Sequence, residues 1–492
     1  MRTPIFLLLA FLSAHLPAAA ADLPTPEEAR QLALAAYQAA AEAGDATAQF
    51  KLGWLYANGQ WVAQDLARAR EWYTRAARQG ETAAQYNLAL LLLQAAPASP
   101  QAQEGLAWLK QAAEGGLARA QLKLSELLEE GRHLAADPAA ALDWLKRAAD
   151  GGDAAAQNNL GLRLLEGRGL ARDVQAGLAW LTRAAEAEYA TAQTNLGLIY
   201  MDGLHGVAVD PVAAVRYLRR AAEAGEALAQ YRLGLALDKG LGTPRDAQAA
   251  LVWLKRAAEG GERAAAAYLG LAFEAGSFGS PDPAAAAQWY HRAAEAGDAL
   301  AANNLGVLLR DGRGVARDLA QARQWFERAA QAGEMNAWYN LGLMHEQGQT
   351  GPADEAQAQA AYQRAAEGGL PKAQGRLGWL HYKQGRYPEA LKWLTRAAEG
   401  GDAAAQNNLG VMYEQGKGVA KDYAQAARWY RKAAEAGERN AQNNLGVLLR
   451  DGIGVRKNPA EALEWFKRAA AQGHVKAQLN LAQLYELLAG RR

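Results

Sequence analysis

The chain has 492 residues, 53 basic and 52 acidic side chains, a formal charge of +1, and no cysteine. The near-neutral balance points to neither a nucleic-acid nor an anionic-membrane partner. The missing cysteines exclude disulfides and an N-terminal lipid anchor. Single cores stop growing near roughly 250–300 residues, so a chain this long is either several domains or a repeat array.

At the N-terminus, Arg2 precedes an apolar run from Ile5 to Leu12, then Pro17 and Ala18-Ala19-Ala20-Ala21. This is the pattern of a signal peptide cleaved after Ala20 or Ala21. The run is too short for a stable span, and no later stretch approaches spanning length. Removing it leaves 52 basic and 52 acidic residues, so the processed chain is expected to be soluble and periplasmic or secreted.

Abundant Ala and only 15 Pro in the whole chain indicate helix nearly throughout. A Leu followed by Gly, Ala or Ser recurs from Leu52 to Leu481, at intervals of 36 with one of 37 and one of 32. About twenty residues after each Leu comes a small residue three before an aromatic, as in Ala69 before Trp72. The spacing predicts one helix from about Ala48 to Ala57 and a second from Leu66 to Arg78. Gly53 and Ala69 let the two cross closely, with Leu52, Tyr56, Trp72 and Ala76 filling the space. Loop glycines such as Gly312 and Gly314 end the first helix. Asp137-Pro138, Asp210-Pro211, Asp282-Pro283 and Asn458-Pro459 place a cap before a proline at the start of the second.

The segment from Ala405 to Gly437, AQNNLGVMYEQGKGVAKDYAQAARWYRKAAEAG, resembles the Sel-1-like repeat, a relative of the tetratricopeptide repeat with a longer loop between its helices. The resemblance implies an all-α fold, a right-handed superhelical α/α solenoid of about twelve helix pairs. The expected layout is a signal peptide (1–21), an N-terminal capping helix (22–47) and repeats one to nine (48–372). A short tetratricopeptide-like repeat ten (373–404), repeats eleven and twelve (405–476) and a C-terminal capping helix (477–492) follow. Repeat ten lacks four loop residues around Gly385-Arg386-Tyr387-Pro388, where a change of superhelical pitch is expected.

In arrays of this kind the first helices line the concave face. The residue before each Leu is Lys51, Asn87, Lys123, Asn159, Asn195, Arg232, Tyr268, Asn304, Asn340, Arg376, Asn408, Asn444 or Asn480. Asn is a mediocre helix former, so propensity does not explain its recurrence. A carboxamide both donates and accepts and can bracket a peptide backbone; resemblance to peptide-binding tetratricopeptide domains gives these Asn that role. The basic members suit carboxylates or a chain terminus. Equally, the Asn residues can bond neighbouring helices and hold the stack together. A second column, Asn158, Asn303, Asn407 and Asn443, sits one residue earlier, and an apolar row (Trp54, Leu198, Val307, Trp379, Val411, Val447) two residues after the Leu. Trp54, Trp61, Trp338 and Trp379 are candidate anchors for a partner, or else core. The Trp column from Trp72 to Trp465 reads as core, and Asp65 with Arg75, or Asp318 with Arg328, as neighbour contacts or a solvated face.

No convergent chemistry appears. His133, His205, His291, His345, His381 and His474 fall at unrelated repeat positions, with no paired metal-ligand spacing. Nucleophile elbows and nucleotide loops are missing too, so neither an enzyme nor a cofactor is expected. The expectation is a scaffold or adaptor of the bacterial envelope that binds a peptide or protein along the Asn-lined face. The alternatives are a carbohydrate-directed accessory module, serving peptidoglycan or exopolysaccharide machinery, and an enzyme of unrecognised type.

Overall fold

The computed structural model describes residues 24–490, so the signal-type segment (1–21) lies outside the described residues. Every described element is helical, with 26 α-helices and one short 3-10 turn at Leu204–Gly206. The helices alternate as first (A) and second (B) members of a pair, and the pairs stack into a solenoid. Two compact units form: residues up to Glu226 hold repeats one to five, and residues from Ala227 hold repeats six to twelve. In repeat one the A helix is Ala46–Asn58 and the B helix Leu66–Arg78. No described helix is long and apolar enough to cross a membrane.

Each repeat is closed by one contact. The small residue after the Leu lies against a large side chain on the B helix; it is Ala89 or Ser125 in repeats two and three and Gly in the other ten, where a Cβ would collide with that side chain. Built on Gly53, Gly270, Gly306, Gly342, Gly410 or Gly446, a Cβ would fall 2.4–2.7 Å from the ring of Tyr73, Tyr290, Phe326, Tyr362, Tyr430 or Phe466. Leu181, Leu218, Leu254 and Leu394 occupy the same seat in other repeats. The helices cross nearest at Gly161 and Gly177, where a Cβ on Gly161 would come within 2.9 Å of the Gly177 carbonyl. Missing side chains thus permit the approach, and the seated ring or Leu fills what remains.

The deepest B-helix residue is therefore the one after the Trp, and the Trp column read as core is buried at Trp325, Trp393 and Trp465 (7–8% exposed) and half-buried against the core elsewhere. Tyr73, Tyr290, Tyr362, Phe326 and Phe466 are at most 2% exposed, whereas Trp72, Trp144, Trp180 and Trp253 are only half-buried. Their outer faces are covered from within the helix by the basic residue three positions on. Arg75, Arg147, Arg183 and Arg328 lie 4.5–4.7 Å from the rings of Trp72, Trp144, Trp180 and Trp325, a cation–π geometry. This also resolves the Asp–Arg spacing of ten: Asp65 caps its helix by accepting from Arg68 N, while Arg75 covers Trp72. The predicted caps Asp137, Asp210, Asp282 and Asn458 all accept backbone N–H bonds.

Successive repeats are stitched by a residue type the sequence reading passed over. Three residues before the Leu, a buried Gln donates from Nε2 to an Ala carbonyl eight residues earlier. Gln49 reaches Ala41 (2.9 Å), Gln193 reaches Ala185 (2.9 Å) and Gln442 reaches Ala434 (3.2 Å), with Gln85, Gln121, Gln157, Gln374 and Gln406 alike. The acceptor lies in the last turn of the preceding B helix and also takes a backbone N–H from its own turn, as Ala77 does from Gly80 (3.0 Å), so the glutamine bond ties the end of one repeat to the next. The second loop glycine serves the same junction: a Cβ on Gly314 would sit 2.3 Å from the Pro283–Ala284 backbone of the previous B helix. In repeat ten the connection shrinks to Gln384-Gly385-Arg386, and Gly378 faces Leu394.

Gly270→Ala should overpack repeat seven and destabilise it by about 1–3 kcal/mol. Adding Tyr290→Leu should recover part of the loss, since Ala89 and Leu109 share that register fully buried in repeat two. Hydrogen exchange over residues 263–295 reads both effects; equal protection in Gly270→Ala and the parent chain would refute the contact.

Candidate functional site

The column before each Leu lies on the A helices, where regular 13-residue segments and side-chain caps such as Asp153, Asp298 and Asp402 hold it in register. Within each unit its Asn members join the neighbouring Asn column in hydrogen-bonded ladders. In the first unit Asn195 donates to Asn158 (2.8 Å), which donates to Asn159 (3.1 Å). In the second, Asn340 donates to Asn303 (2.8 Å) and Asn303 to Asn304 (3.2 Å). The longest ladder runs from Asn480 through Asn443, Asn444 and Asn407 to Asn408. Asn158, Asn303, Asn407 and Asn443 are buried rungs; Asn159, Asn304, Asn408 and Asn444 are half-buried and reach the surface. Each bridge between repeats is made by both columns: the later Asn of one repeat donates to the earlier Asn of the repeat before it, and Asn159, Asn304, Asn408 and Asn444 of the later column also reach the surface.

The remaining members have partners of their own. The residue five after the Leu of one repeat meets the residue before the Leu of the next, thirty positions on. Tyr268 donates to Asp238 (2.5 Å), Arg310 to Asn340 (3.1 Å), Arg376 to Glu346 (2.6 and 3.0 Å), and Arg450 to Asn480 (3.3 Å). The sequence reading missed this second column. Its signal was chemical complementarity at fixed spacing: acid opposite Arg or Tyr, Arg opposite Asn. Lys123 pairs with Glu126 within its helix (2.9 Å), and Lys51 lies 4.7 Å from the Trp54 ring. Asn87 and Arg232 are half-buried at their register positions.

Glu346 is the most constrained acid of the face. It accepts from the Tyr362 hydroxyl (2.7 Å) and from both nitrogens of Arg376. Burial raises its pKa, but the bonds from Tyr362 and Arg376 outweigh burial and hold the carboxyl below its ordinary value. Tyr290 to Glu274 (2.9 Å) and Tyr430 to Glu414 (2.5 Å) repeat the Tyr–Glu arrangement.

Beside the amides, the apolar row Trp54, Leu198, Val307, Trp379, Val411 and Val447 is half-buried throughout. At short repeat ten the row becomes an aromatic cluster. Trp379 stacks on Tyr382 (5.2 Å, 10°), Tyr382 meets Tyr387 edge-on (5.7 Å), and Lys417 Nζ lies 5.0 and 5.6 Å from the two tyrosine rings. Of the other anchor candidates, Trp61 is 45% exposed with φ +63°, at the register that holds the second loop glycine elsewhere. Trp338 is half-buried, with Arg364 over its ring at 4.4 Å.

The Sel1 repeat model matches twelve segments of the chain, from residues 46–81 to residues 439–474, with repeat ten at 371–402. A protective antigen of uropathogenic Escherichia coli displaying an SLR fold is 30% identical, with 92% of this chain and 90% of that one covered and a TM-score of 0.61. A Sel1 repeat protein from Oxalobacter formigenes is also 30% identical, over 75% of this chain and 99% of its own, with a TM-score of 0.48. Among curated proteins none matches.

Two outcomes check the site geometry. Asn443→Ala strands the amides of Asn480 and Asn444 and should cost about 1–3 kcal/mol; Asn408→Ala, at the ladder end, should cost less, by thermal melting. Second, the folded pKa of Glu346 is depressed, so its stabilisation is complete above the ordinary carboxylate range and is lost as pH falls through the folded value. Amide exchange in Pro371–Lys383 should rise with acidification there, and Glu346→Gln should remove that pH dependence.

Proposed function

This chain belongs to the Sel1 repeat family, and we propose that it is a non-catalytic scaffold of the bacterial envelope, exported by its signal-type N-terminus, that holds a peptide or protein segment along its A-helix face. One observation carries the reading. The surface carboxamides are already fixed by hydrogen bonds to the buried column behind them. A free Asn loses rotamer freedom when it binds a ligand; an amide held by its neighbour has lost it during folding. Such preorganisation lowers the cost of association.

The chemistry of the stripe selects the occupant. Amides that donate and accept match a main chain irrespective of its sequence, while the half-buried Trp54, Val411 and Val447 offer shallow seats for apolar side chains. An extended peptide with alternate apolar residues fits both rows. The basic residues contribute little free charge, because Arg376 is held by Glu346 and Lys123 by Glu126. The likeness to a protective antigen of Escherichia coli is in keeping with an exported address.

The test is photo-crosslinking in the native envelope. A benzoyl-phenylalanine at Val411 or Val447 on the A helices should capture a defined protein; one at Trp429 on a B helix should not. Asn408→Ala should weaken that capture about 5–30-fold, the 1–2 kcal/mol scale of lost backbone hydrogen bonds, with the melting curve nearly unchanged. Adducts only from Trp429, or capture indifferent to Asn408, would sink the proposal.

A further inference from the structure

The helices at the two ends of the described chain are complementary halves of one repeat. The N-terminal helix Pro26–Glu42 carries the B-helix code in register. Ala33, Tyr37, Ala40 and Ala41 stand 36 positions before Ala69, Tyr73, Ala76 and Ala77. In repeat one those four B-helix residues are at most 2% exposed. In the N-terminal helix only Ala41 is buried, Ala33, Tyr37 and Ala40 are half-buried, and Leu32 is 64% exposed. No A helix among the described residues covers this face.

The C-terminal helix Val475–Ala489 carries the A-helix code. Asn480, Leu481, Ala482, Leu484 and Tyr485 stand 36 positions after Asn444, Leu445, Gly446, Leu448 and Leu449. In Arg439–Asp451 the face bearing Gly446 and Leu449 is buried under the following B helix. In Val475–Ala489 only Ala477 and Leu484 are buried, while Leu479 is 59% and Tyr485 48% exposed, and Ala482 is exposed with them. Terminal helices of repeat arrays ordinarily present a polar outer side; this one presents Leu and Tyr.

We infer that the chain self-associates head to tail, the C-terminal A-type helix of one copy docking on the N-terminal B-type helix of the next. The joint would rebuild an A–B pair, placing Ala482 where Gly446 stands and Tyr37 where Phe466 stands. The register argument selects a second copy, because the exposed faces of the two helices are of complementary type, one B and one A. The methyl of Ala482 holds the Tyr37 ring farther out than a glycine does, and no loop tethers the two helices. Both make the joint weaker than an internal repeat and therefore reversible. Such a contact is heterologous: each copy offers one donor end and one acceptor end, so association builds rings or open chains.

The measurement is sedimentation equilibrium on the chain from residue 22 onward, alone and in mixtures of end-blocked variants. Ala33→Glu blocks the N-terminal face, at the register of fully buried Ala69, and Leu479→Glu/Tyr485→Glu the C-terminal face; Leu479 and Tyr485 are exposed and Ala33 half-buried, so circular dichroism melts should match the parent. The parent's mean mass should rise with concentration, over about two decades. Each blocked variant alone should stay at the mass of one copy, and their mixture should stop at two copies. A parent of constant single mass overturns the inference. So does self-association of the Ala33→Glu variant alone, which means the C-terminal helix pairs with itself, and so does a mixture that stays monomeric.

Discussion

The structure depends on side chains that are missing. An A helix and a B helix pack at backbone distance only because Gly, Ala or Ser follows each repeat Leu, and the seat so opened is filled from the B helix by one Tyr, Phe or Leu. A single helix pair buries one ring and a few Ala methyls, too little to offset the ordering of some thirty-six residues. Stability therefore comes from repetition along the stack, each pair covering the next. The glutamine bond enforces this arrangement. Its donor sits on one repeat and its acceptor in the last turn of the previous B helix, so the buried Gln amide finds its partner only when both repeats are present. At three junctions the Gln register is filled by Ala266, Ala302 or Trp338. Around them, the apolar cluster from Leu254 to Ala361 runs continuously through repeats seven and eight.

Period, helix limits and caps were legible because they rest on local chemistry. A Leu–Gly pair, a Gly-terminated helix and an Asp before a Pro keep their meaning wherever they occur. The Trp column was read correctly as packing, but its depth varies from buried at Trp325, Trp393 and Trp465 to half-buried at Trp72 and Trp180. Period alone places a residue on a recurring face without saying how deep the face lies. The depth was set by Tyr73 and its equivalents, one position later, whose identity alternates between ring and Leu and so hides its own regularity. Gln49 and its equivalents recur almost as faithfully as Leu52, but their role required knowing which carbonyl lay opposite. That carbonyl belongs to another repeat, so the bond becomes visible only in three dimensions.

The stacking role of the Asn columns leaves room for the other role the sequence offered, because the ladders keep one amide of each dyad at the surface. Adjacent amides on a helix point about 100° apart, so two consecutive Asn cannot both face the groove. One turns in and bridges to the neighbouring repeat; the other is held at the surface by the first. The Asn158-Asn159 dyad and its equivalents thus use one residue to fix the conformation of the next. A single Asn, as at position 87, lacks that support.

Pairing between columns also restricts where recognition can be written. Where Arg376 grips Glu346, or Arg310 reaches Asn340, the surface residue is committed to the fold, and changing it alone strands a partner. Its identity then reflects the repeat behind it more than any ligand in front. Positions free of this coupling are the ladder ends such as Asn408, the apolar row from Trp54 to Val447, and the cluster of Trp379, Tyr382 and Tyr387. In repeat ten the residue five after the Leu is Tyr382, and it donates forward to Gln415 instead of meeting Asn408, the residue before the next Leu. The shortened loop therefore does more than alter one connection. It breaks the pairing rule of the face and leaves stacked aromatics in its place, on the one repeat whose A and B helices are joined by three residues.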